Sequence, residues 1–293
     1  MTEAALHAHL ATGTTTVARA WGVTRRDGRT FGFTDHDRDL SFGGQTYRAG
    51  TGLTALALQQ GNGLSVDNTE AMGALTDDAI TEADIAAGRF DGAEVLAWLV
   101  DWSAPAARKL LFRGHIGEIR REDGAFHAEL RGLGEALNRP IGRVYQAPCT
   151  AVLGDASCRV DMSAGGFRRE AEIARISEGR LFELGPLADS EPGWFVRGRL
   201  DVLDGEGAGL FSAIKRDSLA GNSRILELWE PIRAPITPGD RVRLTAGCDK
   251  RFETCRAKFG NAINFQGFPD IPGEDWLTVH PAQSKAHAGG SRR

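Results

Sequence analysis

Short runs of β-branched and aromatic residues, broken again and again by Gly-containing turns, limit most strongly what this chain can fold into. Glycine accounts for 37 of 293 residues, nearly twice the usual share of about 7%, and most of it falls between apolar runs. Asp27-Gly28 and Gly43-Gly44 divide the segment TTTVARAWGVTRRDGRTFGFTDHDRDLSFGGQTYRAG into two successive hairpins. An alternating strand is expected around 64–75. Residues 92–103, 110–121 and AFHAELRG after Glu122-Asp123-Gly124 read as an antiparallel meander. The second half repeats the style, with candidate strands at 168–176, 180–185, 193–203, 224–229 and 241–245 and with SAIKRDS as connecting chain. Pro235-Ile236-Thr237-Pro238-Gly239-Asp240 is a rigid turn into the last of them.

Helical signals are few. EAALHAHLA at 3–11 predicts one short N-terminal helix, and Thr81 can cap a second that Gly88 closes. LGEALNRPIGRVYQ reads as a helical turn broken at Pro140, which places a junction near residue 140. The expected organisation is therefore a β-rich unit over 1–140, a second over 141–280, and a mobile polar tail over 281–293 whose Arg292 and Arg293 are a solvated terminus.

With 41% hydrophobic and 25% charged residues the chain is not of the disordered class. The 35 Lys and Arg against 39 Asp and Glu leave a net charge of −4, so no overall basic surface draws it onto nucleic acid or an anionic membrane. No apolar run reaches the length of a membrane helix. The N-terminus lacks the pattern of a secretory signal, so synthesis in a reducing cytosol is expected. No nucleophile elbow, zincin helix, Walker loop or dinucleotide fingerprint is present. Gly205-Glu206-Gly207-Ala208-Gly209 lacks the Lys and the setting of a phosphate cradle and reads as a turn. Asp35-His36-Asp37 has the composition of an acid–base site, yet beside hairpin turns such residues more often satisfy backbone groups. His115 and His127 fall on adjacent predicted strands and could pair across them as sheet-surface residues.

All four cysteines fall into two pairs. Cys149 and Cys158 enclose eight residues, Cys248 and Cys255 enclose six, and 89 residues separate the pairs. Two thiols on each of two Gly- and Asp-containing loops match four-point ligation of a buried inorganic centre. A single zinc usually draws its ligands from tighter spacers, and a cubane cluster spreads its thiolates further apart. Four separate buried cysteines or two disulfides are the competing readings. Arg159, Lys250, Arg251, Arg256 and Lys258 lie close by in sequence and would favour thiolates, or are ordinary loop charges.

The block CDKRFETCRAKFGNAINFQGFPDIPGEDW, with CTAVLGDASCRVDM upstream and FGFTDHDRDLSFGGQTYRAGTG in the N-terminal half, resembles the tail hub family of long non-contractile phage tails. That is the family of phage lambda minor tail protein L, and the resemblance is closer to the hubs of Rhodobacter-type gene transfer agents. It implies a mainly β fold of two β-barrel-like hub domains with short helices. The C-terminal domain would be stapled by a 4Fe-4S cluster, with zinc the alternative, on Cys149, Cys158, Cys248 and Cys255. Phe265, Phe268 and Trp276 would shield that centre, or present a docking patch. The family further implies a structural, non-enzymatic tail-tip protein: a homotrimer between a distal tail protein and the central tail-tip protein, with a tail-associated peptidase as a further partner. DNA would pass its lumen without specific binding. Such a protein is assembled in the bacterial cytoplasm and ends in the particle's baseplate. The rival readings are an iron–sulfur electron-transfer protein, a hydratase-like catalyst with an open iron, and a zinc-bearing interaction module.

Overall fold

The computed structural model describes residues 2–50, 53–54, 68–73, 81–122, 125–132, 134, 142–187 and 190–271. By its internal contacts the chain divides into two compact units, Met1–Pro140 and Ile141–Arg293. The Asp123-Gly124 turn, the LGEALNRPI segment apart from Gly134, Trp276 and the tail lie outside the described residues.

In the first unit α1 (Thr2–Leu10) precedes β1 (Val17–Thr24), β2 (Thr30–Thr34), β3 (Leu40–Phe42), β4 (Gln45–Tyr47), β5 (Leu53–Thr54), β6 (Asn68–Gly73), α2 (Glu82–Ala86), β7 (Glu94–Asp101), β8 (Arg108–Glu122) and β9 (Ala125–Gly132). Both expected hairpins form. Gly28 takes φ +84° and donates its N–H to Arg25 O at 3.0 Å, while Gly43 and Gly44 take φ +61° and +80° between the paired Phe42 and Gln45. Positive φ at both central residues matches the twist of the flanking strands, and glycine adopts it without steric cost. Thr81 accepts the N–H of Asp84 at 3.1 Å and starts α2; Gly88, at φ +72°, ends it.

The sheet order β2-β1-β7-β8-β9-β6-β5 contains the expected meander. Period-two alternation along β1 puts Trp21 and Val23 with Phe33, Phe90, Val95 and Phe112 on one face. Ala18 and Ala20 pack on the other with Leu40, Phe42, Tyr47 and Val100. A barrel was expected here, and the described strands instead form a sheet that ends at β2 and β5. The outer backbone of β2 is already occupied: Gly32 O accepts Arg48 N at 2.9 Å, and Thr34 N donates to Arg48 O at 3.0 Å. The β8–β9 register sets His115 opposite Arg131 and His127 opposite Arg120, so the two histidines do not pair.

The second unit holds β10 (Arg168–Ser177), β11 (Leu181–Leu184), β12 (Arg199–Val202), β13 (Phe211–Ala220), β14 (Ser223–Leu228), β15 (Arg241–Thr245) and α3 (Phe252–Phe259). Its six strands close into a barrel in the order β10-β11-β14-β13-β12-β15. Alternate residues point inward and are fully or nearly fully buried, among them Phe182, Leu184, Leu200, Ile214, Leu226, Leu228, Val242 and Leu244. β10 closes the ring by serving two partners: Arg168–Glu172 pair with β15, and Ile173–Ser177 with β11 after a bulge.

Two expectations are corrected in this unit. SAIKRDS is not connecting chain but most of β13. Of the expected strand 193–203, only Arg199–Val202 pairs. The preceding residues are held in successive turns, with Trp194 N donating to Glu191 O and Gly198 N to Phe195 O. Buried side chains hold that turn segment in place of a neighbouring strand. Asp217 accepts the N–H of Phe195 at 2.9 Å, and Arg224, 0% exposed, donates to the carbonyls of Ser190 at 2.7 Å and Glu191 at 2.6 Å while pairing with Asp217. Among the described residues no helix is long and apolar enough to cross a membrane.

Candidate metal centre

The barrel's closing seam decides where the cysteines go. Arg168 at the start of β10 is the register partner of Thr245 at the end of β15, and just beyond them Ala246 N donates to Phe167 O at 2.8 Å. The first cysteine pair precedes β10 and the second follows β15, so the barrel's own closure brings the two chain segments together.

The first pair lies on a loop organised by one carboxylate. Asp155 accepts the N–H groups of Cys158 at 2.6 Å, Val152 at 2.9 Å and Ser157 at 3.0 Å. The bonds from Cys158 and then Val152 hold its carboxyl below the usual aspartate range. Gly154 at φ +82° and Arg159 at φ +59° let this loop double back.

Gly247 precedes the second pair, and a Cβ there would lie 1.7 Å from Val196 O, which leaves no room for any side chain. After Cys248, Asp249 accepts the Arg251 N–H at 3.0 Å and the Thr254 hydroxyl at 2.9 Å, which fixes the start of α3. Cys255 is therefore on a helix and not on a loop as expected. The helix was legible: Glu253 stands in its first turn, Arg256 and Lys258 in its last, and Gly260 ends it at φ +59°.

The two segments are bonded together at several points. Cys149 N donates to Lys250 O at 2.9 Å, Thr150 Oγ1 to Gln266 O at 3.2 Å, and Phe268 N to Gln146 O at 2.9 Å. The principal clasp is Asn261, a residue the cysteine pattern gives no reason to single out. Its side-chain N–H groups reach Cys158 O at 2.5 Å and Cys158 Sγ at 3.7 Å, and its carbonyl accepts the Cys255 thiol at 3.4 Å. Asn264 in turn donates to Asn261 Oδ1 at 2.7 Å and orients the amide.

All four cysteines line one space, and all four are free thiols. Its other walls are apolar (Ala151, Leu153, Val160, Phe259, Phe265) or neutral amide (Asn261, Asn264), with Lys250 the one charged residue of the lining among the described residues. Burial, and then the thiols of Cys248, Cys149 and Cys158, push the Cys255 thiol up to about 11. Left to itself such a group keeps its proton, and an inorganic cation that displaces the proton would make the thiolate. The donor set is soft sulfur, with no carboxylate or imidazole in the lining among the described residues, which fits zinc or an iron–sulfur cluster and not a hard oxygen-seeking cation. Among the described residues no three His, Cys, Asp or Glu side chains are gathered closely enough to hold a single metal ion.

Other candidates take different places. Phe265 lines the space, and Phe268 does not: it packs against Tyr145 at 4.8 Å and under Arg143 at 4.9 Å. Arg159, Arg251 and Arg256 are exposed, whereas Lys250 and Lys258 are half-buried. His36 is part of a turn, where its Nδ1 accepts the Arg38 N–H at 3.0 Å and its ring packs on Trp102 at 5.0 Å. Asp35 accepts the Arg19 N–H at 2.6 Å, a backbone role, while the exposed Asp37 stands 3.1 Å from the same His36 Nδ1 at the protein surface. The 205–209 glycines form the turn between β12 and β13, with Gly209 N donating to Val202 O at 2.9 Å.

Comparison with known proteins places these residues in two family matches. Residues 3–161, which include Cys149 and Cys158, match the family model of the baseplate hub protein, N-terminal attachment domain. Residues 193–275, which include Cys248 and Cys255, match the phage conserved hypothetical protein BR0599. A chain of the solved virion of a native gene transfer agent particle is 54% identical, with 98% of each chain covered and a TM-score of 0.89. No curated protein matches.

Proposed function

Because this chain belongs to the baseplate hub protein family, we propose that it is the tail-tip hub of a phage-like particle of the gene-transfer-agent kind, with a structural 4Fe-4S cluster on Cys149, Cys158, Cys248 and Cys255. In this reading the hub forms a homotrimeric ring around the DNA exit channel and links the distal tail protein to the central tip protein. A tail-associated peptidase is the further partner, and the genome slides past without specific binding. The particle is assembled in the bacterial cytoplasm.

The observation that carries the role is the 54% identity to a chain of a gene transfer agent virion over 98% of both chains. The observation that supports the cluster is that all four thiols of the protein line one space with apolar and amide walls. Cys149 and Cys158 on the loop before β10, with Cys248 on the loop and Cys255 on the helix after β15, would hold the cluster, which would tie these segments together. Loop closure of this kind stabilises a fold where disulfides do not persist. Phe259 and Phe265 keep water from the centre, and Asn261 joins the two segments by donating its side-chain N–H groups to Cys158 O and Sγ and its backbone N–H to Cys255 O, bonds that thiolate formation leaves intact.

The test is an ultraviolet–visible spectrum with iron, sulfide and zinc assays on protein purified without oxygen. The cluster predicts brown protein with about four irons and four sulfides per chain. Colourless protein with one zinc would replace the cluster by an ion, and metal-free protein with four reactive thiols would remove the centre. Cys255→Ala is expected to abolish particle assembly, and normal particle yield from that variant would refute the structural role.

A further inference from the structure

Two ammonium groups lie at the cysteine site. Lys250 lines the space and donates to Ala151 O, two residues beyond Cys149. Lys258, one turn after Cys255 on α3, donates to Trp194 O at 2.5 Å and to Gly247 O at 2.8 Å, next to Cys248. Its Nζ also stands 4.4 Å from the Trp194 ring centroid and 5.4 Å from that of Phe259. Both lysines are half-buried. Among the described residues neither is ion-paired with a carboxylate, whereas Arg199, Lys215, Arg224, Arg241 and Arg243 of the same unit all are.

Backbone carbonyls orient an ammonium group without neutralising it. Burial pulls the Lys258 amine below the ordinary lysine range, and of the groups that oppose this the Cys248 thiol comes first, ahead of Asp249 and Asp217. An ammonium held in that way, beside four groups that become anionic together, has its compensating charge supplied by the site itself.

We propose that Lys250 and Lys258 are the counter-charges of the four-thiolate centre, Lys250 from its lining and Lys258 from one turn beyond Cys255, held in place by the carbonyls of Ala151, Gly247 and Trp194. This rests on the cluster reading above. Four thiolates outweigh the charge of a cubane core, and reduction adds a further negative charge, so nearby cations favour both retention of the cluster and its reduced state. Lys258 also joins α3 to the 190–198 turns that Arg224 and Asp217 hold, so its charge and its position act on the same helix.

The experiment uses the full-length protein purified anaerobically as wild type, Lys258→Met, Lys258→Arg and Lys250→Met. It measures iron per chain, the rate of iron loss to a chelator, and the midpoint potential by dye-mediated titration. Both Met variants are expected to lose iron several-fold faster and to shift to lower potential, and Lys258→Arg to stay near wild type in both. Complete iron loss from Lys258→Met with full occupancy in Lys258→Arg is the extreme form of the same result. A wild-type potential and loss rate in either Met variant overturns the assignment for that lysine. Equal loss from Lys258→Met and Lys258→Arg overturns it too, because shape and not charge would then matter. Wild-type protein without iron refutes the cluster reading itself, and the counter-charges with it, before any variant is made.

Discussion

The site depends on single side chains that satisfy groups the cysteines themselves leave open. Asn261 is buried and serves both cysteine segments at once. Asn261→Leu leaves Cys158 O without its donor and is expected to cost about 1–3 kcal/mol, read as a lower midpoint for unfolding of the second unit. Arg224 and Asp217 are a stronger case, because both side chains are 0% exposed. Asp217→Ala leaves a guanidinium buried without its counter-ion, and the expected loss in the same unfolding measurement is about 3–5 kcal/mol. The cysteines were legible because there are four of them, paired, in a chain with no need of disulfides. Asn261, Arg224 and Asp217 were not, since an amide or an ion pair acquires its role only from what the fold sets beside it.

The local devices that build each element were largely readable, and the failures have two causes. Asp27-Gly28, Gly43-Gly44 and the Thr81 cap all act within a few residues, and all three do in the structure what their types dictate. The turns at 191–198 depend on Asp217 and Arg224 reaching back to an earlier segment, and local propensity contains no trace of that; β13, by contrast, is one arm of a hairpin closed by Gly221-Asn222 between the paired Ala220 and Ser223, a local signal that was missed. The loop of the first cysteine pair is a local device with a pH dependence. Its organiser Asp155 has a carboxyl held below the ordinary range. A group lowered on folding contributes its full stabilisation above the unfolded value, near about 4 for aspartate, and loses it as pH falls through the lowered value. Asp155→Asn should therefore lower the unfolding midpoint of the second unit by a constant amount from pH 7 down to about 5. The gap between variant and wild type should narrow below pH 4, and a gap independent of pH down to 2 would show that the carboxylate's charge is not what holds the loop.

At the scale of the whole chain, two compact units with separate cores are expected to unfold in two calorimetric transitions. Removal of bound iron should lower one of them and leave the other unchanged, because every candidate ligand lies beyond residue 140. A single transition that moves as a whole would contradict this. Strand content and hairpins were visible in the sequence; the barrel order was not, since β10 pairs with β15, and β11 with β14, across long stretches of chain. The barrel expected in the first unit came from the family resemblance, and there Arg48 occupies the edge of β2 instead. The β10–β15 seam also has a consequence for the order of events in the cell. The 89 residues between the cysteine pairs are essentially the barrel itself, and a ribosome delivers Cys149 and Cys158 well before Cys248 and Cys255. The last two ligands are made only after the whole barrel has been synthesised. Cofactor insertion would then follow synthesis of the barrel and read out its closure, and a chain with a misfolded barrel would be left unloaded.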